Sequence, residues 1–214
     1  MRAKRLSDDF HIYYETNRLW GTTSWLGVPT WKLPFDAWVI QELICKIKPD
    51  YIIETGTCYG GSAMFYASIM HLIDHGKVIT VDTEDKINVD SKIAEHLLST
   101  RIQFLHGSSI DPLIFKEIHS KTHFFKNMVI LDSWHSKEHV KRELELYSPI
   151  VTVGSYLIVE DTHVNNHPVP WDWGSGPFEA VQEFLASTDK FISNEECEKL
   201  IMTFNPNGFL LRVK

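Results

Sequence analysis

Carboxylates recur at one kind of place in this chain. Glu54, Asp82, Asp132 and the adjacent pair Glu160 and Asp161 each close a short apolar run. Acids so placed can do two kinds of chemistry. Asp and Glu oxygens hold a hard cation such as Mg2+, with water and substrate oxygens completing the shell. They also accept hydrogen bonds from the hydroxyls or ammonium of a bound small molecule. His135 follows Asp132 by three residues. An imidazole there can take a proton from a hydroxyl near neutral pH. His139, one helical turn later, and His163 are rivals for that role.

Glu54 runs directly into Thr55-Gly56-Thr57-Cys58-Tyr59-Gly60-Gly61-Ser62. Glycines allow a tight turn and a close approach of backbone to ligand. A helix that starts near Gly60 to Ser62 aims free N–H groups at whatever lies in front of it. The run lacks the Lys-Ser/Thr pair of a phosphate-binding Walker loop, and it is not G-x-G-x-x-G. Asp82 closes the next apolar run, where an acid suits the two hydroxyls of a ribose; the alternative is a cap on a following helix. Glu54 can accept from an ammonium group, which nicotinamide cofactors lack. Ser108 and Ser109, after Gly107, close the third run and join Gly56, Gly60, Ser62 and Asp82 as candidate cofactor contacts.

These residues need elements to bring them together. Strands are expected at 51–54, 77–82, 102–105, 128–132 and 156–160, with helices at 36–47, 60–73, 85–99, 111–120 and 136–147 between them. Asp36 is the expected N-cap of the first of these helices. Pro177 suits the first position of another. Two further strands are expected at 200–204 and 209–213, around Asn205-Pro206-Asn207-Gly208, which carries turn chemistry. Strands alternating with helices predict a doubly wound, Rossmann-like α/β fold, in which ligands bind at the carboxyl ends of the strands. Asp132 and Glu160 are separated by enough chain for one crossover helix. Neighbouring strands lie about 4.8 Å apart, so Asp132, Glu160 and Asp161 can converge on one ion. Residues 1–35 are rich in Trp, Gly and Pro and read as an irregular arm, either a lid or a docked aromatic anchor; residues 36–214 read as one domain. Trp171 and Trp173, in a Gly- and Pro-rich loop at 162–176, are expected to close over the substrate.

The formal net charge is −7, which argues against wrapping a nucleic-acid backbone. No apolar run is long enough to predict a membrane span. Cys45, Cys58 and Cys197 are scattered with no C-x-x-C pair. That argues against a thiolate zinc site and suggests reduced thiols in the cytoplasm.

The segments IETGTCYGGS, LDSWHSKEHVKRELELYSPIVTVGSYLIVEDT and GPFEAVQEFL together resemble the cephalosporin hydroxylase/rhamnosyl O-methyltransferase family of class I S-adenosylmethionine (SAM)-dependent methyltransferases. The likeness covers about residues 36–214. It implies a seven-stranded sheet whose last strand is antiparallel, with SAM and Mg2+ as cofactors. It matches Asp132, Glu160 and Asp161 to the Mg2+ ligands, and Glu54, Gly56 and Asp82 to SAM contacts. The related macrolide sugar O-methyltransferases place their base where His135 stands. The expected activity is methyl transfer to a hydroxyl of a small molecule, a sugar or natural-product scaffold, by a homo-oligomer. An oxidoreductase or hydroxylase on the same fold is an alternative, although no two-His-one-carboxylate signature is present. A non-catalytic SAM-binding protein is another.

Overall fold

The computed structural model describes residues 2–84, 91–170 and 174–214. Its centre is a seven-stranded sheet of β1 (Tyr51–Thr55), β2 (Lys77–Asp82), β3 (Ile102–His106), β4 (Asn127–Leu131), β5 (Tyr156–Val159), β6 (Phe191–Ser193) and β7 (Phe209–Arg212). The spatial order is β3-β2-β1-β4-β5-β7-β6. Neighbours from β3 to β5 pair in parallel. β7 is antiparallel to both β5 and β6. The doubly wound fold with an antiparallel last strand is therefore present.

Alternation along the strands builds two cores. Ile52 and Ile53 are both fully buried, yet they belong to different apolar clusters. Ile52 packs with α2 (Pro34–Ile47) and α3 (Gly61–Leu72) on one face of the sheet. Ile53 shares its cluster with residues of α4 (Pro112–Thr122), α5 (Lys137–Tyr147) and α6 (Pro177–Ser187) on the other. Each fully buried Ile contributes about 1.5–3 kcal/mol by leaving water. Apolar strands buried on both faces are what parallel sheets require.

Capping sets where the helices begin. Asp111 accepts from the Leu113 N–H at 2.8 Å, and Ser136 from the His139 N–H at 3.4 Å. Pro177 opens α6, and Glu179 reaches back to the Gly176 N–H at 2.7 Å. Among the described residues no helix is long and apolar enough to cross a membrane.

Three expectations change. The arm is not irregular: residues Arg2–Thr16 form a helix, α1. Leu6, Phe10, Tyr13 and Tyr14 recur at helical spacing, but Leu6, Phe10 and Tyr13 are exposed, and the side chains it buries are His11 and Glu15. Residues 200–204 form no strand; β6 is the partner of β7 instead. Met202 and Phe204 pack against Leu33 of the arm. Asp36 is not a cap. It lies inside the first turn of α2 and accepts from Thr203 Oγ1 at 2.6 Å and the Phe204 N–H at 2.8 Å. Of the helix expected at 85–99, residues Ser91–Ala94 are helical and Leu97–Arg101 form a 3-10 turn; 85–90 lie outside the described residues. So do Trp171 and Trp173 and the lid role expected of them.

Candidate active site

A cavity of about 630 Å³ opens at the carboxyl ends of β1 to β4, a volume typical of small-molecule sites. The turn after β1 forms one wall. Gly56 has φ +87°, and a β-carbon on it would lie 1.8 Å from the backbone oxygen of Asp132. Glycine is therefore required both by the backbone angle and by the approach of the β4 end. Cys58, at φ 48°, donates its N–H to Asp82 Oδ2 at 2.8 Å. Asp82 Oδ1 accepts from the Glu84 N–H at 3.0 Å. The acid at the β2 end thus braces the turn while still lining the cavity.

Of the other candidate cofactor contacts, Ser62, Ser108 and Ser109 line the cavity. Gly60 sits behind it, as the left-handed cap that starts α3. Glu54 does not reach the cavity wall. It is fully buried beneath the turn, and its Oε2 accepts from Thr80 Oγ1 at 2.7 Å. Thr80 and Thr57 hydroxyls lie 2.7 Å apart, which ties Glu54 to the turn above it. Burial pushes the Glu54 carboxyl up to about 7, against the pull of Lys32.

The acids at the ends of β4 and β5 are arranged in series. Asp132, His135 and Asp161 each offer one ligand atom within 4.8 Å of the others. His135 Nε2 lies 3.4 Å from Asp161 Oδ2 and 3.9 Å from Asp132 Oδ1. Asp161 adopts φ 57° and donates its N–H to Asn205 Oδ1 at 3.1 Å. Glu160 is turned elsewhere: its Oε2 lies 2.5 Å from Lys32 Nζ, which stands 2.5 Å from Asp132 Oδ2. The expected meeting of three carboxylates therefore takes the form of a chain, Glu160 to Lys32 to Asp132, with Asp161 and His135 beyond. A buried carboxylate needs a counter-charge, and Lys32 supplies it. Burial alone would lower the Lys32 pKa, but Asp132 and Glu160 outweigh it and hold the ammonium charged.

The rival histidines are engaged differently. His139 Nε2 lies 3.0 Å from Ser133 Oγ and 3.2 Å from Ser109 Oγ; Ser133 in turn donates to buried Glu143 at 2.7 Å. His163 is buried and stacks on both His11 and Phe204, at 4.9 and 4.3 Å. Its Nδ1–H donates to the Phe204 carbonyl at 2.9 Å. His135 is the one of the three whose ring faces two of the expected metal ligands.

Sequence reasoning missed Lys32 and Glu15. Glu15, at the end of α1, is buried, lines the cavity and accepts from Trp20 Nε1 at 3.0 Å. Trp31 meets Trp20 and Tyr59 edge-on at 5.3 and 5.1 Å, so the arm forms a wall of the site. A β-carbon on Gly61 would lie 2.1 Å from Thr30 Oγ1, which shows how closely the arm sits on the start of α3. The available signal for Lys32 was a single charge set between Trp31 and Leu33.

The donors fit both cofactors the sequence suggested. The carboxylate oxygens of Asp132 and Asp161, gathered at one point, suit a hard divalent cation, and the turn after β1, lining the cavity beside Asp82, suits a nucleoside. The rhamnosyl O-methyltransferase of Mycobacterium tuberculosis (strain H37Rv) is 36% identical across 97% of this chain and 85% of its own length. A CmcI structure with Mg and SAM has a TM-score of 0.68 at 17% identity, covering 91% of this chain and 78% of that one. MycE, a methyltransferase of the mycinamycin biosynthetic pathway in complex with Mg and SAH, has a TM-score of 0.53 at 17% identity, over 83% of this chain and 45% of that one. At such identities the two structures carry the fold alone. The family model described as rhamnosyl O-methyltransferase/CmcI matches residues 17–213. With nearly the whole chain matched, and a relative above a third identical, this protein belongs to the rhamnosyl O-methyltransferase/CmcI family.

Proposed function

We propose that this chain transfers the methyl group of S-adenosylmethionine to a hydroxyl of a sugar or sugar-bearing small molecule, with Mg2+ at the acidic end of the site. One observation carries this reading. The glycine turn and the Asp132–His135–Asp161 cluster open into a single cavity, and the Asp132 backbone rests directly on Gly56. A cofactor held by the turn and a hydroxyl held by the acids are then neighbours. The rhamnosyl acceptor in the relatives' name supports the sugar class.

In this reading Gly56, Gly60, Ser62, Ser108 and Ser109 shape the cofactor half, and Asp82 receives the ribose hydroxyls. Glu54 acts from beneath, holding the turn through Thr80 and Thr57. Asp132, Glu160 and Asp161 hold the cation. Mg2+, when bound, lowers the pKa of an oxygen it contacts. His135 takes the hydroxyl proton, and Asp132 and Asp161 beside it stabilise the imidazolium that results. The aromatic wall of Trp20 and Trp31 packs on the apolar face of the acceptor and excludes water. Holding the two reactants in line is expected to supply much of the rate. Three scattered cysteines with no C-x-x-C pair support a cytoplasmic setting, and exposed Phe35 and Trp38 on α2 support self-association.

The test is calorimetry of SAM with and without Mg2+, followed by mass spectrometry of rhamnosides and other glycosides for the gain of one methyl group. Asp132→Asn should abolish Mg2+-dependent turnover and leave SAM binding largely intact. Full turnover in that variant would sink the assignment.

A further inference from the structure

Lys32 has no place in the steps above, yet its ammonium stands between two of the carboxylates assigned to the cation. It lies 2.5 Å from Asp132 Oδ2 and 2.5 Å from Glu160 Oε2, with its side chain 8% exposed. Those two acids close adjacent parallel strands and would repel one another unpaired. Lys32 neutralises that repulsion. A divalent cation that draws on both side chains competes for the same charges and is repelled by the ammonium a few ångströms away.

The position of Lys32 in the chain gives this contest a second consequence. The residue lies on a short strap between Val28–Pro29, which pairs with Ser24–Trp25, and Pro34 at the start of α2. Its neighbour Trp31 touches Tyr59 on the glycine turn and Trp20 in the arm. Lys32 and Trp31 are joined by one peptide unit, so a shift of the strap backbone at Lys32 would reach the wall of the cavity.

We propose that Lys32 is an intramolecular rival of the divalent cation at Asp132 and Glu160, and that this rivalry couples cation binding to the Trp31 strap. The proposal rests on the assignment of those two acids to the cation. It makes Lys32 a positioning residue whose charge sets cation affinity below what the carboxylates alone would give.

The experiment is calorimetric titration of the full chain with MgCl2 alone. Lys32→Gln and Lys32→Met should bind Mg2+ more tightly by about tenfold or more, while Lys32→Arg stays near the parent. In the parent, Mg2+ should change the emission of Trp31, read as the difference from Trp31→Phe, and that response should shrink in Lys32→Gln. Equal or weaker Mg2+ affinity in the folded neutral variants overturns the proposal. If neither neutral variant folds, a Trp31 emission indifferent to Mg2+ in the parent overturns it. Asp132→Asn separates the two levels. Unchanged Mg2+ affinity there defeats the cation assignment. Lost affinity there, with no gain in Lys32→Gln, defeats the rivalry alone.

Discussion

The backbone oxygen of Asp132 occupies the space that a side chain on Gly56 would need: a β-carbon at position 56 would sit 1.8 Å from it. This contact joins the cofactor turn to the end of β4. Gly56→Ala is expected to cost about 3 kcal/mol or more, because a backbone clash adds to a left-handed φ. Gly154 is the control. It has φ +83° with nothing within 4 Å of a built β-carbon, so Gly154→Ala should cost about 1 kcal/mol. Urea unfolding of both variants reads the difference. Equal costs would mean that the turn gives way without strain.

His135 lies in the loop before α5 and His139 in its first turn, in different surroundings. His135→Asn should lower kcat by about 10²- to 10⁴-fold with SAM binding retained. His139→Asn disturbs the Ser109 and Ser133 hydroxyls and should cost about 1–2 kcal/mol of stability, with a smaller effect on kcat. The reverse ranking of the two kcat values would transfer the base role to His139.

Buried Glu54 makes stability depend on pH. Burial raises its carboxyl from 4.5 to about 7, so the folded protein holds a proton that the unfolded chain has released. Its stabilising contribution is complete below about pH 4.5 and is lost as pH rises to about 7. The loss is on the order of 3 kcal/mol. Thermal melts without cofactor across that range should show the decline, and Glu54→Gln should flatten its share. Asp36, raised to about 7 by burial, declines in the same direction and remains in the variant. A Glu54→Gln profile parallel to the parent's would place the Glu54 carboxyl in its ordinary range.

Asp36 also fixes the back of the site. It holds Thr203 and Phe204 against α2, and Phe204 stacks on His163. Asp36→Ala should cost about 2–4 kcal/mol, since it leaves buried donors unpaired. It should also loosen the His163 ring, which proton NMR of the imidazole resonances would detect. An unchanged melt and unchanged His163 resonances would show that residues 202–204 are held by apolar packing with Leu33 alone.

The five parallel strands were legible because they are short apolar runs, the central ones buried on both faces, separated by helices with ordinary capping chemistry; the half-exposed edge strand β6 was not. A residue that ends such a run must lie at the carboxyl rim, so Asp82, Asp132 and Asp161 could be placed on the cavity from their spacing. His135 could be placed with them because it follows Asp132 by three residues. Glu54 ends β1 as expected, with its carboxylate buried beneath the turn. Pleat alternation decides whether a side chain points into the cavity or beneath it, and at a strand terminus the following turn changes that direction.

Sequence alone determined the doubly wound sheet, its acidic rim and the glycine turn, since these depend on local periodicity and on backbone angles that few residues tolerate. Tertiary structure decided the rest. Glu15 reaches the site because α1 packs on His163 and Phe204, and Lys32 because the strap lies against the start of α3; no local pattern encodes partners a hundred or more residues away. The pairing of Lys32 with Glu160 follows from burial, since a carboxylate removed from water takes the nearest cation that packing brings within reach.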